Sequence, residues 1–299
     1  MNPSVALATA AAFPDLDDDG PSLVAALASR GIDAGPAVWS DPDVDWSAYD
    51  LVVVRCTWDY QGRHEEFLSW ADHVATVSTL ANPADVLRWN THKSYLRELS
   101  AAGLPVVATT WLEPGDVFAV PAQGEYVVKP AVSAGSRDTN RYAVGVHDDA
   151  AEQHASGLLA AGRTVMVQPY LDAVDTAGET ALFYFAGEFS HAVRKAALLQ
   201  PAMEFVSGAY KEESIDAREP SAGELAVGER VLDALPDLKG WDRRSLLYAR
   251  VDVVPGADGA PTLLELELTE PSMFLIYDDQ AADRFGDAIA AVVGAGRTG

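Results

Sequence analysis

The sequence has few cysteines and few basic residues, and both shortages exclude classes of protein. Among 299 residues there is one cysteine, Cys56, so neither an intrachain disulfide nor a cysteine-based zinc site can form. The 21 Lys and Arg residues stand against 45 Asp and Glu residues, which leaves a formal net charge of −24. Nucleic acids and anionic membranes bind clustered positive charge, so neither is expected as a partner.

The chain also lacks the signals of export and of membrane insertion. No apolar run approaches the ~20 residues that a membrane span needs. No Lys or Arg precedes Arg30, so the basic region of a secretory signal peptide is missing. We therefore expect a cytoplasmic protein, and the single cysteine fits such a reducing compartment. The hydrophobic content of 48% is sufficient for the cores of two or three domains.

Two strands near the C-terminus carry most of the chemistry that the sequence suggests. They are Tyr248–Val254 and Thr262–Leu268. Because side chains alternate along a strand, Arg250 and Asp252 share one face of the first strand, and Glu265 and Glu267 share one face of the second. The Gly/Pro-rich link between them favours an antiparallel hairpin. In that hairpin Asp252 lies opposite Glu265, and Arg250 lies opposite Glu267.

This pairing places three carboxylates on one patch, where like charges destabilise a sheet. One arginine is too little to compensate them. Hard divalent cations take oxygen ligands, so we predict a site for Mg²⁺, with Mn²⁺ as the alternative ion, at Asp252, Glu265 and Glu267. The competing interpretation is a solvated acidic face.

Strand and helix patterns alternate along the chain, which predicts an α/β (α+β) protein. The first third resembles a small open α/β unit, in which the apolar run Asp50–Val54 is a buried parallel strand. The other elements predicted in this unit are a strand at Ser4–Ala10, helices at Pro21–Arg30 and His64–Val74, a further short strand, and a hinge at Asn82-Pro83.

The remaining sequence predicts four helices and several strand pairs. The helices are Thr91–Ala102, Asp149–Ala161, Ala222–Leu235 and Ala281–Val293. The strands are Val106–Thr110, Glu125–Lys129, Arg141–Val146, Val165–Gln168, Thr180–Phe185 and Glu188–Val193. Ser221 and Glu224 match a capping box at the start of the third helix. The segment Gln200–Pro220 has no clear period and is a candidate mobile loop.

A lysine at a strand end suggests a site for an anion. Lys129 ends an apolar strand, and the loop Ala131–Ser136 follows at once. The small residues Ser133, Gly135 and Ser136 allow backbone N–H groups to surround a phosphate, and the lysine adds a point charge. An ordinary hairpin loop with a surface lysine is the alternative. Neither a Walker A loop nor a GxGxxG dinucleotide fingerprint occurs in the sequence.

A second candidate segment follows the strand that ends at Gln168. Pro169 leaves backbone groups free, which could bind the edge of an adenine while Tyr170 and Leu171 pack on its faces. Glu179 begins the next strand and could accept hydrogen bonds from ribose hydroxyls. Taken alone, the segment could equally be a plain strand exit.

The order of these features resembles the ATP-grasp superfamily. The order is a helix lysine (Lys93), a strand lysine with a small-residue loop, an apolar hinge, a glutamate, a basic residue, then R-x-D and E-x-E, from about Lys93 to Glu270. The resemblance implies an ATP-grasp fold of three domains. These are residues 1–88 as an N-terminal domain on the substrate side, 89–170 as the central subdomain, and 171–299 as the C-terminal subdomain with the metal site.

The resemblance also implies roles for the candidate residues. It implies ATP contacts at Lys93, Lys129, Lys195, the adenine hinge Gln168 to Leu171, the ribose-binding Glu179, and the metal ligands Asp252, Glu265 and Glu267. Members usually have E-x-N where this chain has Glu267. That exchange keeps an oxygen ligand and adds a charge, and it leaves the number of metal ions open.

The superfamily generally activates a carboxylate as an acyl phosphate, which an amine or another nucleophile then attacks. Arg250 lies beside the predicted metal site and could stabilise the oxyanion of that attack, a contribution of about 3 kcal/mol. Pairing with Glu267 is the competing structural role for Arg250, and the two roles are compatible.

Substrate recognition is expected in two other loops. Arg55, Trp58 and Asp59 follow the buried strand of the first unit, and ligands of open α/β sheets bind at the carboxyl ends of strands. Arg55 could pair with a substrate carboxylate and Asp59 with an ammonium group. Ser272 lies in the segment TEPSMF, directly after the predicted metal strand. The alternative for the first loop is packing against the next domain.

The sequence RCTWDY, the ending E-x-E-x-T-E-P-S-M-F and the chain length resemble the ATP-grasp cyclo-ligases that form D-cycloserine. This resemblance implies an ATP-dependent closure of O-ureido-D-serine, an amino-acid-like small molecule, into a five-membered ring. Three alternatives stay open at this point: an intermolecular carboxylate–amine ligase, a small-molecule kinase, and an ATP-binding protein without catalysis.

Overall fold

Three β-sheets organise the part of the chain that the computed structural model describes, residues 2–197, 199 and 214–296. The first sheet and its helices comprise β1 (Ser4–Thr9), α1 (Gly20–Ser29), β2 (Asp33–Val38), β3 (Leu51–Cys56), α2 (His64–Val77) and β4 (Thr79–Ala81). All its strands are parallel, in the order β2-β1-β3-β4. Val53 packs towards α1 while Val52 and Val54 pack towards α2, so β3 is buried on both faces. The predicted buried parallel strand is confirmed.

The second sheet is antiparallel and carries a helix on one face. Its region comprises α3 (Ala84–Asn90), α4 (Tyr95–Ala101), β5 (Thr110–Leu112), β6 (Glu125–Pro130), β7 (Asn140–Ala143), α5 (Asp148–Ala160) and β8 (Val165–Pro169). The strand order is β5-β8-β6-β7. Tyr126, Val128 and Val165 pack against Leu158 and Leu159 of α5. The alternate residues of β6, which include Lys129, therefore point to the opposite face.

The third sheet is also antiparallel, and helices cover both of its faces. Its region comprises α6 (Val174–Ala177), β9 (Glu179–Phe185), β10 (Glu188–Lys195), β11 (Ile215–Ala217), α7 (Ala222–Lys239), β12 (Tyr248–Pro255), β13 (Pro261–Glu267) and α8 (Ala281–Gly296). The order is β11-β10-β9-β12-β13. Leu182 and Tyr184 pack towards α7, whereas Phe183 and Phe185 pack with Phe285 of α8. None of the helices in the described residues combines the length and apolar character needed to cross a bilayer.

Several local predictions are confirmed. β12 and β13 pair antiparallel with Arg250 opposite Glu267 and Asp252 opposite Glu265. β9 and β10 form the predicted hairpin. The capping box of α7 is present, with the Ser221 side chain accepting from the Glu224 backbone and the Glu224 side chain accepting from the Ser221 backbone. Each of these features depends on residues close together in the chain.

Two predicted elements are wrong in their position. The helix predicted at Thr91–Ala102 starts only at Tyr95, because the Lys93 backbone N–H donates to the Ala131 carbonyl at 2.9 Å and interrupts the helix. The strand predicted at Val106–Thr110 is a single bridge between Val106 and Leu263, and regular pairing begins with β5. Most of the candidate mobile loop Gln200–Pro220 lies outside the described residues.

Two buried asparagines, Asn82 directly after β4 and Asn90 at the end of α3, bind the backbone at the hairpin of β12 and β13. The Asn82 amide nitrogen donates to the carbonyls of Tyr248 and Leu268 at 2.9 and 2.8 Å, and its oxygen accepts from Leu247 N–H at 2.7 Å. Asn90 donates to the carbonyl of Leu266 at 2.8 Å and accepts from Leu268 N–H at 2.6 Å. The segment predicted as a hinge at Asn82 is therefore a fixed junction. Moving it would break the hydrogen bonds of buried amide groups, which costs free energy.

Candidate active site

A cavity of about 640 Å³ lies where the three sheets meet. Its walls come from the ends of β1 and β3, from β6, β8 and their loops, and from β12 and β13. All but two of the predicted site residues line it: Lys93, Lys129, Ser133, Gly135, Ser136, Gln168, Pro169, Tyr170, Leu171, Glu179, Lys195, Arg250, Glu265, Glu267, Trp58, Asp59 and Ser272. The exceptions are Arg55 and Asp252. Segments far apart in the chain thus form one site.

Lys93 is held in the cavity by partners from two other segments. Its Nζ lies 3.0 Å from Glu265 Oε1 and donates to the Ser133 carbonyl at 2.8 Å. Burial would lower the pKa of Lys93, but the neighbouring Glu265 carboxylate raises it. The side chain is therefore a fixed ammonium ion between β13 and the small-residue loop.

Lys195 and Lys129 differ in whether a carboxylate lies close enough to neutralise the ammonium group. Lys195 Nζ lies 2.9 Å from Glu179 and 2.8 Å from Asp252. Lys129 is 9% exposed and lines the cavity, yet within the described residues no carboxylate lies within ion-pair distance of it. Burial lowers the pKa of Lys129. A buried ammonium without a counter-ion favours binding of an anion from solution, because that anion relieves the cost of desolvation.

Arg250 connects the acidic residues of the hairpin. It donates to Asp252 from Nε and Nη2, at 2.9 Å each, and from Nη2 to Glu267. Burial would raise the pKa of Asp252, but Arg250 and Lys195 lower it to about 2. Burial raises the pKa of Glu267 to about 7 despite the Arg250 guanidinium. Negative charge at Glu267 is therefore compensated only in part.

The carboxylates that reach the cavity fit a hard divalent cation. Glu265 and Glu267 line the cavity. Asp252 is 1% exposed, does not line the cavity, and forms ion pairs with Lys195 and Arg250. In the described part of the chain, no group of three or more acidic, His or Cys side chains is arranged to hold a metal ion. Mg²⁺ commonly uses one or two protein carboxylates and fills its other positions with phosphate oxygens and water. Two carboxylates suit that pattern, and the ligand role of Asp252 stays a prediction.

The predicted adenine hinge forms another wall. Gln168 donates to Thr109 Oγ1 at 2.9 Å, which fixes its side chain amide. The Arg141 guanidinium lies 3.4 Å from the centroid of the Tyr170 ring, and the Tyr170 hydroxyl donates to Asp175. Arg141 thus covers one face of the ring, and Tyr170 lines the cavity. The contacts of these residues with a nucleotide stay predictions.

The small-residue loop turns sharply beside the lysines. Gly135 and Ser136 have φ values of +60° and +55°, the left-handed region that glycine adopts readily. The Ser133 hydroxyl donates to the Arg137 carbonyl at 3.1 Å, and the Ala134 N–H donates to Gln61 Oε1 at 3.2 Å. The loop is therefore a sharp turn that Gln61 links to the first sheet region, and its binding of a phosphate stays a prediction.

The structure corrects the role predicted for Arg55. Its side chain is 2% exposed, it does not line the cavity, and Nη2 lies 3.5 and 3.7 Å from Asp17 and Asp19. Its Nη1 donates to the Pro271 carbonyl at 3.2 Å. Arg55 therefore holds the segment TEPSMF against β3 and is not positioned to bind a substrate carboxylate. Sequence reasoning placed it at the strand end but could not show which way it points.

Trp58 and Asp59 do line the cavity, and the polar groups of both side chains already have partners within the protein. Trp58 Nε1 donates to the Glu270 carbonyl at 2.9 Å, so the indole is held against the segment TEPSMF. The Asp59 carboxylate accepts from Trp39 Nε1 at 2.8 Å and pairs with Arg63 at 2.7 Å. Both oxygens of Asp59 are thus engaged, which makes it a weak candidate for the predicted ammonium contact.

Glu270 is a cavity residue to which sequence reasoning assigned no role of its own, although it belongs to the segment TEPSMF that was expected near the substrate. It is 8% exposed and lines the cavity, as does Tyr60, the polar neighbour that acts on its carboxylate. Burial and the nearby Glu267 raise the pKa of Glu270 to about 8. The sequence signal was an acidic residue shortly after the predicted metal strand. The alternation of side chains predicts which residues share a face only within a strand, so it could not place a residue of the following loop.

Known proteins with the same organisation were found at several levels of similarity. Residues 5–82 match the family described as the N-terminal domain of D-cycloserine synthetase DcsG. The chain is 38% identical over 298 residues to the cycloserine biosynthesis protein DcsG of Streptomyces lavendulae, which covers 96% of this chain and 97% of that protein. The crystal structure of D-cycloserine synthetase DcsG superposes with a TM-score of 0.87 at 37% identity, over 97% of this chain and 99% of that one.

More distant structures share the fold. D-alanine–D-alanine ligase of Bacillus anthracis, solved with ATP, has a TM-score of 0.65 at 15% identity and covers 99% of this chain and 98% of its own. The predicted fold is thereby confirmed as that of ATP-grasp ligases. Since a relative is 38% identical across nearly the whole chain, the chain belongs to the D-cycloserine synthetase family of ATP-grasp ligases and is an ATP-dependent ligase.

Proposed function

We propose that this enzyme forms D-cycloserine by activating the carboxylate of O-ureido-D-serine with ATP. One observation carries the proposal: the similarity to a cycloserine biosynthesis protein extends over 96% of this chain and 97% of the relative. It therefore includes the segments of the first sheet and of TEPSMF that close the substrate end of the cavity, and is not confined to the nucleotide-binding half.

ATP is proposed to lie between the second and third sheets. Lys129 supplies the uncompensated positive charge for the phosphates, with Lys93 and Lys195 beside it. The segment from Gln168 to Leu171 takes the adenine, and Glu179 takes the ribose hydroxyls. The division into residues 1–88, 89–170 and 171–299 is part of the same proposal, supported by one sheet falling in each range.

Glu265 and Glu267 would hold a divalent cation, Mg²⁺ or Mn²⁺, at the phosphate end. Such an ion neutralises the charge that spreads over the γ-phosphate oxygens during transfer. The chain itself contributes fixed ammonium and guanidinium groups. Lys93 is anchored by Glu265 and the Ser133 carbonyl, so it need not reorganise during the reaction.

The chemistry has two stages after ATP binds. The substrate carboxylate takes the γ-phosphoryl group and becomes an acyl phosphate, with ADP as the other product. The ureido nitrogen that is bonded to oxygen then attacks the acyl carbon, phosphate leaves, and the five-membered ring closes. Loss of the carbamoyl group with one water, as carbon dioxide and ammonia, completes D-cycloserine. Arg250 lines the cavity beside Glu267 and is proposed to stabilise the oxyanion of the attack.

Ring closure within one molecule sets what the protein must do. The nucleophile is tethered to the electrophile, so the cavity need only favour the folded conformer and exclude water from the acyl phosphate. The walls formed by the half-buried Trp58 and the buried Tyr60 serve the second purpose. A cytoplasmic location, where ATP is available, is part of the proposal.

The test is phosphate release by the purified protein with ATP, Mg²⁺ and O-ureido-D-serine. We expect phosphate and D-cycloserine, identified by mass spectrometry, in equal amounts and without any added amine. O-Ureido-L-serine and D-serine with hydroxylamine are the comparison substrates. Phosphate release that requires a separate amine would point to an intermolecular ligase, and no stimulation by the ureido compound would refute the proposed substrate. Replacement of Mg²⁺ by Mn²⁺ is expected to sustain turnover.

A further inference from the structure

Among the described residues, the buried charged side chains have ion-pair partners except at Lys129 and Glu270. Four acidic residues in the described residues are buried: Asp19, Glu224, Asp252 and Glu270. The first three have an arginine or lysine within ion-pair distance. For Glu270 no cation of the described residues lies within that distance, and its polar neighbour is the neutral Tyr60 hydroxyl. Burial disfavours the ionised form of this carboxyl, and a cation brought by a ligand would stabilise that form.

Glu270 is also held rigidly at the cavity wall. Its carbonyl accepts from Trp58 Nε1 at 2.9 Å, and the next carbonyl, that of Pro271, accepts from the buried Arg55 at 3.2 Å. Phe13 packs edge-on against Trp58 with ring centroids 4.9 Å apart, and both line the same cavity. Aromatic walls around a carboxylate suit an organic ammonium, because ring faces also attract cations.

The other acidic groups of the cavity already have cations. Four of these acidic groups form ion pairs, namely Glu179 with Lys195, Glu265 with Lys93, Glu267 with Arg250 and Asp138 with Arg163. Asp59, predicted from the sequence as the ammonium contact, pairs with Arg63 and accepts from Trp39. These pairings leave Glu270 as the cavity carboxylate that lacks a positive partner in the described residues.

We propose that Glu270 binds the α-ammonium group of the substrate and that the Tyr60 hydroxyl positions the Glu270 carboxylate. The proposal rests on the proposed function only in requiring an α-amino acid as substrate. The ammonium and the carboxylate of such a substrate are bonded to the same carbon. Glu270 and Glu267 line the same cavity, so an ammonium at Glu270 keeps the substrate carboxylate in the cavity that also contains the proposed phosphate site. With both groups fixed, the remaining substituent distinguishes D from L enantiomers.

The test compares ligands that differ only in the amino group. Wild type and Glu270→Gln are titrated calorimetrically with O-ureido-D-serine and its des-amino analogue 3-(ureidooxy)propanoate, and with D-serine and 3-hydroxypropanoate. Mg²⁺ and a non-hydrolysable ATP analogue are present throughout. In wild type the amino member of a pair binds about 100-fold more tightly, since an amine-free ligand leaves the carboxylate without a partner. In Glu270→Gln the two members bind within about 5-fold of each other, as expected for a neutral hydrogen bond.

Matched variants separate this role from structural effects. Glu65→Gln removes the same charge from a side chain that is 94% exposed and should bind like wild type. Tyr60→Phe keeps the ring and should reduce the discrimination about 10-fold through the lost hydrogen bond. The affinity for the ATP analogue should be unchanged in all three variants, which shows that they are folded and that the nucleotide site is intact.

Each other outcome decides the proposal. It is overturned if Glu270→Gln keeps the wild-type discrimination, if Asp59→Asn removes it instead, or if wild type does not discriminate within any pair. If Glu270→Gln weakens the binding of both ligands of a pair and of the ATP analogue equally, Glu270 belongs to the metal site. That result would also overturn the proposal. Discrimination in the D-serine pair, without phosphate release from O-ureido-D-serine, would refute the proposed function and leave the Glu270 assignment standing.

Discussion

His191 in β10 should make the stability of this enzyme depend on pH in a way that one substitution removes. The ring is 5% exposed, stacks on Phe183 with centroids 4.4 Å apart, and contacts the Met273 carbonyl at 2.9 Å through Nε2. Burial lowers the pKa of His191 from its usual 6.5 to about 4. Met273 belongs to the segment TEPSMF, so the titrating ring supports a wall of the cavity.

The direction in which stability changes with pH follows from whether the folded or the unfolded state binds the proton more readily. In the unfolded chain His191 takes up a proton as the pH falls below 6.5, whereas the folded protein does so only near pH 4. The stabilisation by the neutral ring is complete above 6.5 and is lost as the pH falls towards 4. A difference of about 2.5 pH units corresponds to about 3 kcal/mol at most, of which about 2 kcal/mol is lost between about pH 7.5 and about pH 5.

The charged neighbours of His191 are Asp278 and Arg284, which pair with each other at 2.6 Å and act on the ring with opposite signs. The substitution His191→Gln removes the titrating group and keeps an amide donor for the Met273 carbonyl. On urea unfolding, wild type should therefore lose about 2 kcal/mol more than the variant between about pH 7.5 and about pH 5. Other titrating groups are shared by the two proteins and cancel in the difference.

Two measurements check this reasoning. In NMR titrations, the histidine signal that is missing in His191→Gln should report an apparent pKa near 4 in wild type. His73→Gln, at an exposed position, is the matched control and should retain the wild-type dependence of stability on pH. A titration of His191 near 6.5, or equal losses of stability in wild type and His191→Gln, would refute the account.

Three further substitutions test the walls of the cavity. Gly178→Ala should destabilise the protein by at least about 2 kcal/mol more than Gly124→Ala in urea unfolding. Both glycines have positive φ, but only at Gly178 would a Cβ lie 2.6 Å from a backbone atom, the Lys195 carbonyl oxygen; equal costs would show that this packing is not close. Lys129→Met should raise the melting temperature of the ligand-free protein while weakening ATP binding by on the order of 100-fold in calorimetry, because it removes a buried, uncompensated charge; unchanged ATP affinity would remove Lys129 from the phosphate site. Arg55→Met should cost about 3–5 kcal/mol in unfolding experiments by leaving two acidic partners without a cation; a cost below about 1 kcal/mol would contradict that pairing.

Much of the fold was predictable where it depends on neighbouring residues. The alternation of side chains along a strand and a tight connection were enough to pair Arg250 with Glu267 and Asp252 with Glu265. The capping box of α7 is equally local. The helix predicted at Thr91–Ala102 failed because a contact with Ala131, distant in the chain, interrupts it, and no local pattern reports such a contact.

The sequence by itself determined which kinds of residue reach the cavity: lysines at a strand end and a turn, small residues in a loop, and carboxylates on one face of a hairpin. Only the tertiary structure decided which of these charges are compensated. It buried Arg55 between two aspartates, paired Lys93 with Glu265, and left Lys129 and Glu270 without ion pairs among the described residues. The physical reason is that compensation of a charge depends on groups brought within about 4 Å by folding, and separation along the chain carries no information about that distance.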